Sequence, residues 1–137
     1  MVFTVRTIIE VLGFPDTHVK EITEKVVEKI KTEDRISVLK EKIHDPEKVK
    51  DKFFSSLIEL ELKIHDFSKL LGFCYDYLPS SLEILDTEKI TLQVREFHFA
   101  MNELLERLHH YNLVVNNLSA KIRQLENKED KPSSASS

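Results

Sequence analysis

Residues 94–125 read VREFHFAMNELLERLHHYNLVVNNLSAKIRQL, and their apolar side chains recur alternately three and four positions apart. In heptads, the first core position holds Val94, Met101, Leu108, Val115 and Ile122, and the second holds Phe97, Leu104, Tyr111, Leu118 and Leu125. We call these ten residues the seam. A period of 3.5 kept over more than four heptads indicates a supercoiled helix that meets another helix, because an ordinary amphipathic face follows a period near 3.6. The seam therefore predicts a helical partner, and a second copy of the chain is the simplest one.

The two halves of this helix differ in how many of their faces are apolar. Beyond Val115 the seam has β-branched residues at the first position and leucine at the second, a pattern typical of two-stranded parallel pairs. The proximal half carries additional apolar residues off the seam, namely Leu92, Phe99, Ala100, Leu105 and Leu113. We expect a proximal segment that docks on its own domain, followed by a distal segment that pairs with another helix.

The chain before the seam alternates between strand and helix patterns. Phe3, Val5, Thr7, Ile9 and Val11 share one face of a predicted first strand, and Asp16 is the predicted N-cap of a helix that reaches about Lys31. A second strand begins at Ile36 and ends at Asp45-Pro46-Glu47, and a third runs from Ile58 to Ile64. Asp66 caps a short helix from Phe67 to about Leu78, and Leu82, Ile84 and Leu85 form a fourth strand.

This element order predicts an α+β fold. The segments 43–49 and 84–90 resemble each other, and each follows a strand-helix-strand unit, as expected for two βαβ halves that share one sheet. The predicted fold is a split βαβ (ferredoxin-like, βαββαβ) sandwich over residues 1–86, followed by a C-terminal coiled-coil helix over residues 87–126 and a disordered tail over residues 127–137. Another α+β strand order is the main competitor, because the right-handed crossover rule does not select one topology.

Composition and charge argue against nucleic acid and membranes as partners. The 137 residues have a net charge of -4, which gives no overall attraction to phosphate or to an anionic lipid surface. The exposed sheet face is predicted to present Arg6, Ile8, Glu10, Glu59, Glu61 and Lys63, three of which are carboxylates and none aromatic. Single-stranded RNA needs aromatic residues on such a face for base stacking, so no RNA partner is expected.

Cysteine content and hydropathy predict a soluble, cytoplasmic protein. The single cysteine, Cys74, cannot form an internal disulfide, and its apolar neighbours indicate a buried thiol in a reducing compartment. No apolar run approaches the roughly 18 residues needed to cross a bilayer, and residues 1–10 do not form a signal peptide.

Motifs for catalysis, cofactors or metals are missing from the sequence. Only Gly13 and Gly72 are glycines, so the Gly-rich loops that bind phosphate are absent. The six histidines show no zinc-ligand spacing, and the adjacent His109 and His110 fall on outward heptad positions. We therefore expect no enzyme activity, no cofactor and no metal site.

Two local patterns resemble known proteins. The segment IIEVLGFPD at residues 8–16, which places glycine and proline in the first strand-to-helix loop, resembles the ACT-like regulatory domains. That resemblance implies amino-acid binding at a dimer interface, with Gly13 and Asp16 as ligand-loop residues and a small-molecule effector as partner. A Gly-Pro turn capped by Asp16 is a structural explanation of the same loop, and we favour it. Residues 71–85 resemble a segment of small archaeal proteins to which no activity is attached.

Three functions follow as alternatives. The first is a non-catalytic homo-oligomerising interaction module that dimerises through its C-terminal helix. The second is an ACT-like regulatory domain that binds a metabolite between two copies. The third is a monomeric α+β domain whose C-terminal helix packs on its own sheet.

Overall fold

The alternation along the first strand decides which face of the sheet becomes the core. The computed structural model describes residues 1–130. In β1 (Phe3–Gly13), Phe3, Val5, Thr7 and Ile9 are buried, whereas the residues that alternate with them are partly or fully exposed. Successive side chains of a strand point to opposite faces, so this pattern places one face of β1 in the core and the other toward solvent.

Seven further elements follow β1 in chain order. They are α1 (Asp16–Lys31), β2 (Ile36–Ile43), β3 (Glu47–Lys50), β4 (Phe53–Ile64), α2 (Phe67–Tyr77), β5 (Ser81–Ile84) and α3 (Val94–Asp130). Within residues 1–130 the protein is therefore a mixed α+β structure with five strands and three helices. The predicted α+β class is confirmed.

All strand pairs of the sheet are antiparallel, and the four principal strands lie in the order β2-β4-β1-β5. β4 pairs with β1 along most of its length, from Phe54 opposite Gly13 to Ile64 opposite Phe3. Its other edge pairs with β2 and, nearer its start, with β3. The central position of β4 explains why its alternation is the clearest in the sequence.

The short strand β3 was not predicted from the sequence. All four of its residues are exposed, so no apolar alternation marks it. It forms because Asp51, at φ 53°, reverses the chain and lets Lys50 pair with Phe53. For the same reason β4 begins at Phe53 and not at Ile58, where the sequence analysis placed the start of the third strand.

The core lies between the sheet and the first two helices. Leu60, Leu62 and Ile64 of β4 are fully or almost fully buried, and they form one cluster with Val27 and Ile30 of α1 and with Phe73 of α2. The open face of the sheet lies on the opposite side, because its residues alternate with the buried set.

Of the two predicted helix caps, Asp66 is confirmed and Asp16 is not. Asp66 is the N-cap of α2, and its Oδ1 accepts a hydrogen bond from the backbone nitrogen of Lys69 at 2.7 Å, as predicted. The prediction for Asp16 is wrong, because Pro15 occupies the cap position of α1 and its carbonyl accepts from His18 and Val19. Asp16 is instead the first helical residue, and its Oδ1 accepts from Thr17 N at 2.9 Å.

The contacts divide the chain into two compact units between Ala100 and Met101. The first unit, which we call the α/β unit, holds the sheet, α1, α2 and the beginning of α3. The sequence analysis placed a boundary after residue 86 and ended the last helix at residue 126, whereas α3 begins at Val94 and continues to Asp130. The remainder of the predicted disordered tail, residues 131–137, lies outside the described residues.

Candidate functional site

The seam of α3 is the largest exposed apolar surface that the sequence predicted. Eight of its ten side chains are exposed, with exposed fractions from 40% at Tyr111 to 68% at Val94. Met101 and Leu104 are partly buried. The distal residues Val115, Leu118, Ile122 and Leu125 are each more than half exposed. Large aliphatic side chains at this exposure and spacing constitute a surface that another helix can cover.

The proximal half of α3 is apolar on more than one side, as predicted. Phe99, Leu105 and Leu113 lie off the seam and are exposed, whereas Ala100 is fully buried. Val114, which flanks the seam beside Val115, is also exposed, and it was not among the predicted off-seam residues. Its adjacency to a first-position residue is the signal that would have identified it.

Charged residues flank the distal seam. Lys121 precedes the first-position residue Ile122, and Glu126 follows the second-position residue Leu125. Both side chains are exposed, and neither forms an ion pair within the part of the chain that the structure describes. Charges beside a seam determine which helix pairs with it and in which orientation the two helices lie. These two residues therefore belong to the candidate site.

The open face of the sheet carries a row of alternating charges across four strands. Lys40, Glu61, Arg6 and Glu83 stand opposite one another in successive strands. Lys40 Nζ lies 3.5 Å from Glu61 Oε2, and Arg6 Nη1 lies 3.6 Å from Glu83 Oε2. Arg6 and Glu61 of the predicted face thus each have an opposite charge on a neighbouring strand. A depression of about 520 Å³ on this face is lined by Arg6, Lys40, Glu41, Lys42, Glu59, Leu60 and Glu61.

A second charged pair lies beside that row. His44 Nε2 is 2.9 Å from Glu59 Oε2, and this hydrogen bond is the main reason that the pKa of Glu59 is lower than usual. Glu59 stands opposite Ile8 and Lys42 in the neighbouring strands. The surface therefore combines both signs of charge, which suits solvent contact more than it suits phosphate binding.

The predicted ligand loop is occupied by its own contacts. A Cβ placed on Gly13 would lie 3.3 Å from Val19 Cγ2, so the glycine allows the loop to approach α1 closely. The Asp16 carboxylate accepts from Thr17 N and is otherwise exposed. Packing and local hydrogen bonding account for both residues without a ligand.

Cys74 and Tyr77 are the titratable groups of α2 that burial perturbs. Cys74 is partly, not fully, buried, and burial raises the pKa of its thiol. A raised pKa reduces the thiolate fraction, which is the form that acts as a nucleophile. The pKa of Tyr77 is raised to about 12 by burial and by the nearby Glu33 and Asp76 carboxylates. In both groups the surroundings therefore favour the protonated form.

Residues 1–130 contain neither a metal-binding cluster of side chains nor a helix able to cross a membrane. No group of three or more His, Cys, Asp and Glu side chains there can hold a metal ion. His109 and His110 are both exposed on α3. No helix in the same range combines the length and apolar content needed to cross a membrane.

Comparisons with known proteins identify a family. A family model described as the MJ0538 family matches residues 4–132. A search of curated proteins finds no match, and neither does a search of solved structures. The matched range includes the sheet, the segment at residues 71–85 that resembles small archaeal proteins, and the whole seam, while the ACT-like resemblance stays a prediction. Because the match extends over most of the sequence, the chain belongs to the MJ0538 family.

Proposed function

We propose that this protein is a non-catalytic interaction module that forms a homodimer through the seam of α3. The observation that carries the proposal is the exposure of the distal seam, where Val115, Leu118, Ile122 and Leu125 are each more than half exposed. A period of 3.5 keeps these side chains on one line, and a line of that period fits a second helix that has the same period. A second copy of the chain supplies such a helix through a symmetric interface.

The energetics favour coverage of the seam. Burial of a large aliphatic side chain contributes about 1.5–3 kcal/mol before the loss of side-chain entropy is subtracted. Four distal residues from each of two chains, each little more than half exposed, therefore contribute a favourable term of the same order as the cost of association, which is about 4–15 kcal/mol. In the distal half, hydrophilic residues such as Lys121 and Glu126 flank the apolar residues of the seam.

The α/β unit is proposed to be a split βαβ, ferredoxin-like sandwich. Two features support this fold. The strands lie in the order β2-β4-β1-β5, and neighbouring strands are antiparallel. In addition, α1 connects β1 to β2 and α2 connects β4 to β5. Each of these connections passes over one intervening strand, as a split βαβ unit requires. We place the protein in the cytoplasm, since its single cysteine suits a reducing compartment.

The experiment that tests the dimer compares two variants that carry the same added charge. Leu118→Asp with Ile122→Asp places two carboxylates in the distal seam, where they would be buried without partners in a dimer. Asn116→Asp with Asn117→Asp places two carboxylates on the outer side of the same helix. Sedimentation equilibrium at low micromolar concentration gives the mass of each, and circular dichroism verifies that the α/β unit remains folded.

The seam variant is expected to sediment as a monomer, whereas the parent and the Asn116/Asn117 control sediment as dimers. A dimer that survives both seam substitutions would refute the assignment of the interface. A parent protein that sediments at the 16.0 kDa chain mass would favour the alternative in which the helix packs on its own sheet. A metabolite-binding regulator stays a prediction, which a ligand-dependent rise in Tm with an amino acid would support.

A further inference from the structure

We infer that the two α3 helices pair in parallel and in register, which rests on the proposed homodimer and specifies its geometry. In a parallel pair, the residue that precedes a first-position residue faces the residue five positions later on the other helix. This rule places Lys121 of each chain against Glu126 of the other. The twofold symmetry of the dimer repeats the pair, so two opposite-charge contacts flank the distal seam.

The state of these two side chains in the single chain supports the assignment. Lys121 and Glu126 are both exposed, and no intrachain ion pair in the described residues occupies either of them. Both charges are therefore available to a second chain. The neighbouring layers fit the same geometry, because Ile122 meets Ile122 and Leu125 meets Leu125, a combination that favours two strands in a parallel pair.

The antiparallel alternative offers Lys121 no opposite charge. In the antiparallel register that overlaps the whole seam, Val94 lies opposite Leu125, and first positions meet second positions throughout. The flanking contacts then join Lys121 to Ala100 and Arg107 to Val114, and neither contact pairs opposite charges. Because the apolar layers are acceptable in both orientations, the flanking charges decide between them.

The parallel arrangement has a consequence for the whole assembly. The chain enters both helices at the same end, since the α/β unit precedes α3 in the sequence. A parallel pair therefore brings the first residues of the two α3 helices to the same end of the pair. A full-length antiparallel pair would place them at opposite ends.

Disulfide cross-linking in the full-length protein tests the orientation. The parent carries Cys74→Ala, so that the only thiol is the one introduced. Leu125→Cys places that thiol at a second-position layer, where a parallel, in-register pair brings it opposite itself. A disulfide requires Cα atoms within about 7 Å, so only closely opposed positions cross-link readily. Asn127→Cys, two residues further along and on the outer side of the helix, is the matched control.

We expect Leu125→Cys to form covalent dimers rapidly on mild oxidation, and Asn127→Cys to form few. Cross-linking of Leu125→Cys only after it is mixed with Val94→Cys protein would establish the antiparallel register and overturn the inference, while leaving the homodimer intact. A dimer by sedimentation in which Leu125→Cys cross-links in neither experiment would also overturn it. A parent that sediments as a monomer would refute the homodimer itself.

Charge reversal gives an independent test of the Lys121 contact. Lys121→Glu and Glu126→Lys each turn two attractive contacts into repulsive ones, so each should weaken dimerisation roughly tenfold at low salt. The double reversal, Lys121→Glu with Glu126→Lys, restores opposite charges across a parallel pair and should recover most of the affinity. If the double variant dimerises no better than the single variants, the assigned contact is wrong.

Discussion

The sheet and the third helix both carry long series of regularly spaced apolar residues, but only those of the sheet are covered within the chain. Leu62 and Ile64 in β4 are completely buried, whereas Leu118 and Ile122 in α3 are each more than half exposed. The strand pattern has period 2 and the helix pattern has period 3.5. The first is covered by α1 and α2, which the same chain supplies, and for the second we propose a helix of matching period.

Apolar periodicity therefore predicts that a face is buried, but it does not specify which element buries that face. For β4 the covering elements are α1 and α2, and α2 follows β4 directly in the sequence. For α3 the covering element is proposed to be a second molecule, so the stability of the helix should depend on protein concentration, while the stability of the sheet should not. The predictions below test this difference in order of decreasing effect.

The largest effect is expected from a truncation in the covered region. Leu62→Ala removes a fully buried side chain from the centre of the core and should lower the free energy of unfolding by about 2–5 kcal/mol. Leu57→Ala, on the open face of the same strand, should cost about 1 kcal/mol or less. Urea denaturation at fixed protein concentration measures both. Equal losses would contradict the division of β4 into a buried and an open face.

The second effect should appear in α3 alone. Mass action makes the stability of a dimeric helix pair change by about 2.7 kcal/mol for each hundredfold dilution. Amide hydrogen exchange of residues in the distal half of α3 should therefore accelerate when the protein is diluted, while exchange in the centre of β4 stays unchanged. If exchange in α3 is independent of concentration, the helix is not stabilised by a second copy.

The third effect compares two aspartates that look alike in the sequence. Asp66→Ala removes the side-chain cap of α2 and should lower the free energy of unfolding by about 1 kcal/mol. Asp16→Ala removes only a hydrogen bond to the next residue and should cost a few tenths of a kcal/mol. Asp66→Asn, which retains a capping oxygen, is the control for the loss of charge. A larger loss at Asp16 than at Asp66 would contradict the assigned caps.

The smallest effect concerns pH and the open face of the sheet. The hydrogen bond from His44 holds the pKa of Glu59 below its usual value, so the ionised carboxylate is favoured in the folded protein. Its stabilisation is present above the pKa of the unfolded state and is lost as pH falls through the lower folded pKa. An NMR titration of the Glu59 carboxyl should show the low pKa, and His44→Ala should return it toward the usual value. If the pKa of Glu59 is unchanged in that variant, the hydrogen bond with His44 is not the cause of the lowered pKa.

The sequence predicted the elements whose side chains divide between a buried and an exposed face. The alternation of Ile58, Leu60, Leu62 and Ile64 predicted the second half of β4 but not its start at Phe53, and the cap at Asp66 was correct. β3 could not be predicted, because its residues are all exposed and its existence depends on the turn at Asp51 and on pairing with β4. The strand order also depends on contacts between distant residues that no local pattern encodes.

For the candidate site, the sequence indicated which residues share the helix but not which of them the chain itself covers. The ten seam positions lie on one helix as expected, and the distal ones are exposed. The ligand-loop residues Gly13 and Asp16 show the limit of a short motif, because a glycine that packs against Val19 and an aspartate at a helix start are common structural features. Motifs of that length do not distinguish a binding loop from a tight turn.

The mass of the unaltered protein in solution tests the central claim most directly. Sedimentation equilibrium over a range that includes low micromolar concentration should give a species of twice the 16.0 kDa chain mass, which dissociates reversibly on dilution. A single 16.0 kDa species throughout that range would contradict the account, because the exposed seam would then have no second copy to cover it.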